Sequence, residues 1–202
     1  GGQVNPAYGR TFAFDNDFAA LLPRDGDAPE ADADPLFRQE REGGVCRVVC
    51  FSPRHDLSLP ELSLPDLEAV LSTWTEETRT LAARPGITYV QVFENKGAMM
   101  GCSNPHPHSQ VWATEHLPNE PRKELIRQRD YLQDHGSCLL QDYLARELQR
   151  GERLVVVNEG WVALVPFWAA WPFETLVLPR RPLRTLLDLT DADRASLAEL
   201  FK

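Results

Sequence analysis

Cysteine is scarce in this chain: four residues in 202, Cys46, Cys50, Cys102 and Cys138. So few thiols cannot frame a disulfide scaffold, so the chain must be held by a core. Long apolar runs are absent too; none approaches the ~18 residues that a membrane-spanning helix requires. Nothing reads as a secretory leader, so a reducing, cytoplasmic setting is expected. Basic residues are also in short supply: 21 Lys and Arg against 30 Asp and Glu leave a net charge of −9. That balance argues against a general nucleic-acid or membrane-surface role. A phosphate pocket in so acidic a chain needs its own local cluster of donors. The chain opens on Gly1-Gly2 rather than methionine and stops at Lys202 inside a helical pattern, so it reads as a piece of a longer protein.

What is present suffices for a globular core: 43% of residues are hydrophobic and 9% aromatic. The first 43 residues, rich in Pro, Asp, Ala and Gly, read as extended segments with one apolar stretch, Thr11 to Phe14. "VCRVVCF" (Val45 to Phe51) is strand-like. Its two cysteines suggest a metal pair, but four strand residues span about 13 Å, too far to share an ion. Ser63 caps a helix carrying Leu67, Val70, Leu71, Trp74, Thr78 and Leu81 at helical spacing, and Gly86 breaks it. Strands are expected at Ile87 to Glu94, "SQVWA", "RLVVVN", "WVALVPF" and "ETLVLP". Helices are expected over Arg122 to Gln133, over Leu139 to Arg150, and from near Asp191 behind a Thr190 cap.

The stretch from Cys50 and the stretch from Leu176 form a weak internal repeat. Each runs from a strand through a Pro-Arg step and seven residues in the first copy, eight in the second, to a leucine (Leu62, Leu189), a Ser or Thr cap (Ser63, Thr190) and a helix. His55 falls opposite Pro182, so the two copies share architecture but not chemistry. The expected fold is α+β: antiparallel sheet with flanking helices, in two related units, residues 1–150 carrying the active site and residues 151–202 beginning a second, truncated unit.

Chemistry concentrates in "GCSNPHPHSQVWA", residues 101–113. Imidazole titrates near neutral pH, ligates metals and attacks phosphorus. If a strand begins near His106, then His106, His108, Gln110 and Trp112 share one face; Pro107, lacking an N–H, puts that end at an edge or strand start. Three readings compete: two histidines chelating one zinc, one nucleophilic histidine with a supporting partner, and two partly exposed loop residues. Spacing alone does not choose among them.

The wider stretch "FENKGAMMGCSNPHPHSQVWA", with "VNPAYGRTFAFDNDFAAL", "FSPRHDLSLPELS", "HLPNEPRKE" and "LVPFWAAWPFETLVLPRR", resembles the galactose-1-phosphate uridylyltransferase family of the histidine-triad superfamily. The resemblance runs through nearly the whole chain and implies a HIT-like fold. It implies that His108 is the nucleophile that becomes uridylylated and that Gln110 holds the transferred phosphoryl group. It makes His55 and His106 zinc ligands and Glu124 the carboxylate of an iron site present in some members. It sets Asn16, Asp17, Asn95, Gly101, Cys102 and Ser103 against the uridine or its phosphates. The implied reaction passes a uridylyl group between UDP-glucose and galactose 1-phosphate by two displacements through His108, in a homodimer, with no nucleic-acid or membrane partner. The alternatives are a related nucleotidyl-phosphorylase, a HIT-type nucleotide hydrolase, or a catalytically silent fragment that binds zinc and nucleotide. Gln110 speaks against hydrolysis: the superfamily's hydrolases carry a third histidine there, and an amide cannot titrate. The remaining expectations are that the second nitrogen of His108 donates to a backbone carbonyl, and that backbone N–H groups at Gly101 to Ser103 serve the phosphoryl oxygens.

Overall fold

The computed structural model describes residues 6–23, 34, 36–37, 39–102 and 104–202. The chain divides into two compact units, Gly1–Leu57 with Thr73–Pro118, and Ser58–Ser72 with Asn119–Lys202.

In the first unit, β1 (Phe12–Asp15), β2 (Gly44–Cys50), β3 (Tyr89–Phe93) and β4 (His108–Thr114) form one antiparallel sheet in the order β1-β2-β4-β3. The strand segments are rich in Val and aromatic residues, which suit a pleated, half-buried surface. Alternation then sorts their faces. On one face Val49, Val111 and Ala113 are fully buried with Leu81 and pack against Trp74; both latter residues belong to helix α1 (Leu64–Ala82). Arg47, on that same face of β2, is clamped to Glu77 of α1 at 2.8 and 3.1 Å. The opposite face carries Val48, Cys50, His108 and Gln110.

The second unit contains α2 (Asn119–His135), α3 (Leu139–Arg150), an antiparallel sheet of β5 (Leu154–Val157), β6 (Trp161–Leu164) and β7 (Leu176–Pro179), and α4 (Asp191–Phe201). Its core joins Leu144 to Val162, Leu164 and Leu178, flanked by Leu140, Tyr143 and Leu148 of α3. Residues 119–150, placed with the first unit on sequence, therefore fold in the second. The cause is the apolar stripe of α3, which is buried on the β5–β7 sheet. Buried Glu147 is held by the Arg153 guanidinium at 3.0 and 3.1 Å. Helix α2 begins three residues before the expected Arg122, with Pro121 in its first turn, where a missing N–H has no helical partner to lose.

The internal repeat has local structural counterparts. A 3₁₀ turn, a buried leucine, a hydroxyl cap and a helix follow in order at Leu59–Glu61, Leu62, Ser63 and α1. The same order recurs at Leu186–Asp188, Leu189, Thr190 and α4. The architecture is α+β with antiparallel sheets and flanking helices. Among the described residues no helix is long and apolar enough to cross a membrane.

Candidate active site

Strand register builds the floor of the site. Cross-strand partners run Phe14, Val48, Gln110, Phe93 in one row and Phe12, Cys50, His108 in the next. Over this face lies a cavity of about 790 Å³ lined by Phe14, Asn16, Asp17, Val48, Cys50, Asn104, His106, His108 and Gln110, with exposed Phe18 at its edge. That volume suits a nucleotide-sized ligand. The other face of β4 is sealed: Ser109 is fully buried and accepts the Trp74 indole N–H at 2.8 Å. The rigid strand thus presents His108 and Gln110 to solvent-accessible space.

His108 is oriented by its own backbone neighbourhood. Its Nδ1 donates to the carbonyl of His106 at 2.7 Å, the contact expected for fixing its tautomer. Because Nδ1 carries the proton, the lone pair of the neutral ring resides on Nε2, which has no hydrogen-bond partner among the described residues. His106 precedes the first residue of β4, and it lines the cavity together with His108 and Gln110. It sits in the bend before β4, flanked by prolines that cannot donate to a ladder, and its ring turns toward His55 and Tyr8. The two Nδ1 atoms of His55 and His106 lie 2.7 Å apart, and His106 Nε2 is 3.3 Å from the Tyr8 hydroxyl. Tyr8 donates to the Ser52 carbonyl at 3.1 Å, so its oxygen accepts from His106 Nε2. This leaves His106 Nδ1 as the acceptor and His55 Nδ1 as the donor. Burial, and then the nearby His55 ring, hold His106 below the ordinary imidazole pKa.

Three carboxamides stand in the polar lining. Gln110 Oε1 accepts the Trp112 indole N–H at 3.1 Å, Asn16 Oδ1 accepts the Phe18 N–H at 3.0 Å, and Asn104 Oδ1 accepts the His106 N–H at 3.0 Å. With each oxygen engaged, each amide has its NH₂ donors to offer. Among the described residues that line the cavity there is no Lys or Arg. This is the local donor cluster that so acidic a chain needs if it is to accept a phosphate.

The backbone donors of Gly101 and Cys102 are engaged within their own loop. Gly101 N–H bonds to Ala98 O at 3.1 Å and Cys102 N–H to Gly97 O at 3.3 Å, closing the 3₁₀ turn Ala98–Met100. These donors are already used, and neither residue lines the cavity. Cys102 Sγ instead donates to Asn104 O at 2.9 Å. Asn95, half-buried just past β3, is also outside the lining. Ser103 lies outside the described residues. Asn104 was missed on sequence; its signal was the Asn-Pro pair, whose side chain readily caps a neighbouring backbone N–H. Cys50 lines the cavity beside His108, but burial pushes its thiol pKa up, so it stays protonated and poorly nucleophilic.

Residues 1–118 match the family model described as galactose-1-phosphate uridyl transferase, N-terminal domain, and residues 124–202 match that of the C-terminal domain. The chain belongs to the galactose-1-phosphate uridyl transferase family. A galactose-1-phosphate uridylyltransferase of Haemophilus influenzae is 51% identical over 201 residues, covering 100% of this chain and 57% of the relative. That of Rattus norvegicus is 52% identical over 201 residues, again 100% of this chain but 52% of the relative. A solved uridylyltransferase structure aligns at TM-score 0.83 and 33% identity, over 95% of this chain and 60% of its own. The chain thus spans about half the length of the curated relatives it matches.

The metal residues implied by the family resemblance fit only in part. His55 and His106 bring two nitrogens to one point, but two nitrogens on a tetrahedral zinc, each bonded at about 2.0–2.1 Å, stand roughly 3.3 Å apart. Their 2.7 Å separation is that of a hydrogen bond, which an ion would replace by a small opening of the pair. Among the described residues no third His, Cys, Asp or Glu joins them, so they supply half of a closed zinc site. Glu124 stands exposed on α2, and among the described residues no group of three metal-binding side chains forms around it. A lone solvated carboxylate does not fit an iron site.

Proposed function

We propose that the protein containing this chain passes a uridylyl group from UDP-glucose to galactose 1-phosphate, giving glucose 1-phosphate and UDP-galactose. The observation that carries this reading is the His108 contact: Nδ1–H held by a backbone carbonyl leaves the Nε2 lone pair available at the cavity, with Gln110 on the same strand face.

In the first displacement Nε2 attacks the α-phosphorus, the N–P bond forms, and the P–O bond to glucose 1-phosphate breaks. A neutral imidazole needs no general base. Positive charge develops on the ring, and the His106 carbonyl on Nδ1–H stabilises it. Glucose 1-phosphate leaves as a stable anion, so no strong acid is required. In the second displacement a phosphate oxygen of galactose 1-phosphate attacks the same phosphorus and His108 leaves unchanged, which gives ping-pong kinetics. Donors from Gln110, Asn16 and Asn104 support the phosphoryl and phosphate oxygens, and Asp17 is available to nucleoside hydroxyls. His55 and His106 serve as two ligands of a structural zinc, which supplies rigidity beneath the nucleophile's backbone; no chemical step passes through it. The full protein acts as a homodimer in the cytoplasm, as the family resemblance implies.

The test is covalent trapping. Full-length enzyme incubated with UDP-glucose labelled in the uridylyl group should carry one label per active site, stable to base and lost in acid, as a phosphoramidate is. Peptide mapping should place it on His108. Label on another residue, or none, overturns the reading.

A further inference from the structure

We propose that Trp112 is a positioning residue that fixes the orientation of the Gln110 amide and so sets what Gln110 can offer to the reacting phosphoryl group. This deepens the proposed uridylyl transfer and rests on it.

A carboxamide is ambiguous: rotated by half a turn, it exchanges two donors for an acceptor. At Gln110 the ambiguity is removed chemically. The indole Nε1–H is a donor and never an acceptor, so the amide atom 3.1 Å from it has to be the oxygen. The NH₂ group is the part left for the cavity that Gln110 lines. A flipped amide would turn its carbonyl dipole toward an anionic phosphoryl group and would set two donors against each other at the indole.

Capture of an amide oxygen occurs three times around this cavity, but the three locks differ in kind. At Asn16 and Asn104 the captor is a backbone N–H two residues on, the local turn that asparagine makes readily in many settings. At Gln110 the captor is a side chain on the next position of the same strand face, where backbone geometry does not require a donor. Trp112 does not line the cavity. Its ring is held by Phe93 in an edge-to-face contact, centroids 5.4 Å apart and planes at 79°. The indole is therefore anchored on one side and directs its N–H to the amide on the other. Phenylalanine would keep the packing and lose only the lock.

The test uses the full-length enzyme with Trp112→Phe, Gln110→Ala and the double variant. The readouts are the single-turnover rate of uridylyl-His108 formation and the indole N–H resonances of protein labelled with ¹⁵N-tryptophan. Trp112→Phe should slow formation about two- to tenfold, the range for one lost hydrogen bond, with thermal stability little changed. In the Gln110→Ala background the same change should have no further effect. Trp112→Phe also identifies the Trp112 indole resonance by its disappearance, and Gln110→Ala should shift that resonance upfield and speed its exchange. Wild-type speed in Trp112→Phe, or equal slowing in both backgrounds, overturns the proposal, because the ring would then act by packing alone. An indole resonance indifferent to Gln110→Ala overturns it on geometry, independently of activity. If the wild-type enzyme formed no uridylyl-histidine while the resonance responded as stated, uridylyl transfer would fall and the amide lock would stand.

Discussion

His55 and His106, 51 positions apart in the chain, meet Nδ1 to Nδ1 at 2.7 Å, and the Tyr8 hydroxyl backs His106 from its other ring nitrogen. The pair therefore joins the turn after β2 to the bend before β4. His106 has a second role that its side chain does not perform: its carbonyl holds the His108 Nδ1–H.

These two roles separate under mutation. In the full-length protein His106→Ala should abolish zinc binding at this site and lower Tm by several degrees, the scale of a 1–2 kcal/mol loss in a domain of this size. The carbonyl survives the substitution, so the rate of His108 uridylylation should fall by no more than about tenfold. Chelator should lower the wild-type Tm and leave that of His106→Ala unmoved. Metal analysis with a chelator-dependent melt checks both; wild-type protein free of zinc and indifferent to chelator would refute the metal role.

On the proposed mechanism, His108→Gly removes the bond-forming atom but little binding surface. Turnover should drop by about 10⁴-fold or more, as when other covalent nucleophiles are deleted. The dissociation constant for UDP-glucose should change only a few-fold by calorimetry. Added imidazole should restore part of the turnover by filling the cavity as a diffusible nucleophile. Near-normal turnover in the variant would place the nucleophile elsewhere.

The legible part of the sequence was local. Hydroxyl caps at Ser63 and Thr190, the alternation of β4, and the helical spacing from Leu67 to Leu81 each depend on residues close in the chain, and each has its counterpart in the fold. Long-range bookkeeping was not legible. Whether the N–H of Gly101 or Cys102 is free depends on a turn closed by Gly97 and Ala98, and the turn consumes both donors. The allegiance of α3 depends on which sheet buries its stripe, and β5–β7 lies later in the chain. The turn of the His106 ring toward His55 and Tyr8 depends on partners distant in the chain, which spacing counts do not register. The meeting of His55 with His106 was expected through family resemblance; no periodicity in the chain foretold it.

Asp193 offers a test of stability rather than chemistry. Its carboxylate accepts the Thr190 N–H at 2.8 Å and hydroxyl at 2.6 Å and pairs with the Arg181 guanidinium, closing the start of α4. The Arg181 partner, ahead of the Thr190 hydrogen bonds, holds its pKa far below the usual carboxylate range. A depressed folded-state pKa means stability that is fully present above the unfolded-state value near 4 and is lost as pH falls toward the folded value. Asp193→Asn should therefore destabilise the protein by about 1–2 kcal/mol at pH 7, the cost of a lost cap. The gap should narrow steadily below pH ~4. Denaturant melts across pH check this, and a gap independent of pH would show that shape rather than charge matters at this position.

Gln110→His makes the sharpest demand on the mechanism. The position lines the cavity on the same strand face as His108 and presents an amide that donates but cannot take up a proton. On the proposed mechanism, an amide steadies phosphoryl oxygens without activating water, which would protect the uridylyl-histidine until a sugar phosphate arrives. A histidine there has a pKa near 6.5 before environmental shifts, so at neutral pH it can act as a base toward water. It also removes the amide whose oxygen accepts the Trp112 indole N–H. Transfer to galactose 1-phosphate should slow about tenfold or more, while hydrolysis of the trapped intermediate speeds up. That leak should rise with pH through the imidazole range, since the neutral ring is the base. The measurement is the decay of isolated uridylyl-enzyme in the absence of acceptor, wild type against variant, from pH 5.5 to 8.5. A variant intermediate as long-lived as the wild type at every pH would mean that Gln110 does not guard the phosphorus from water.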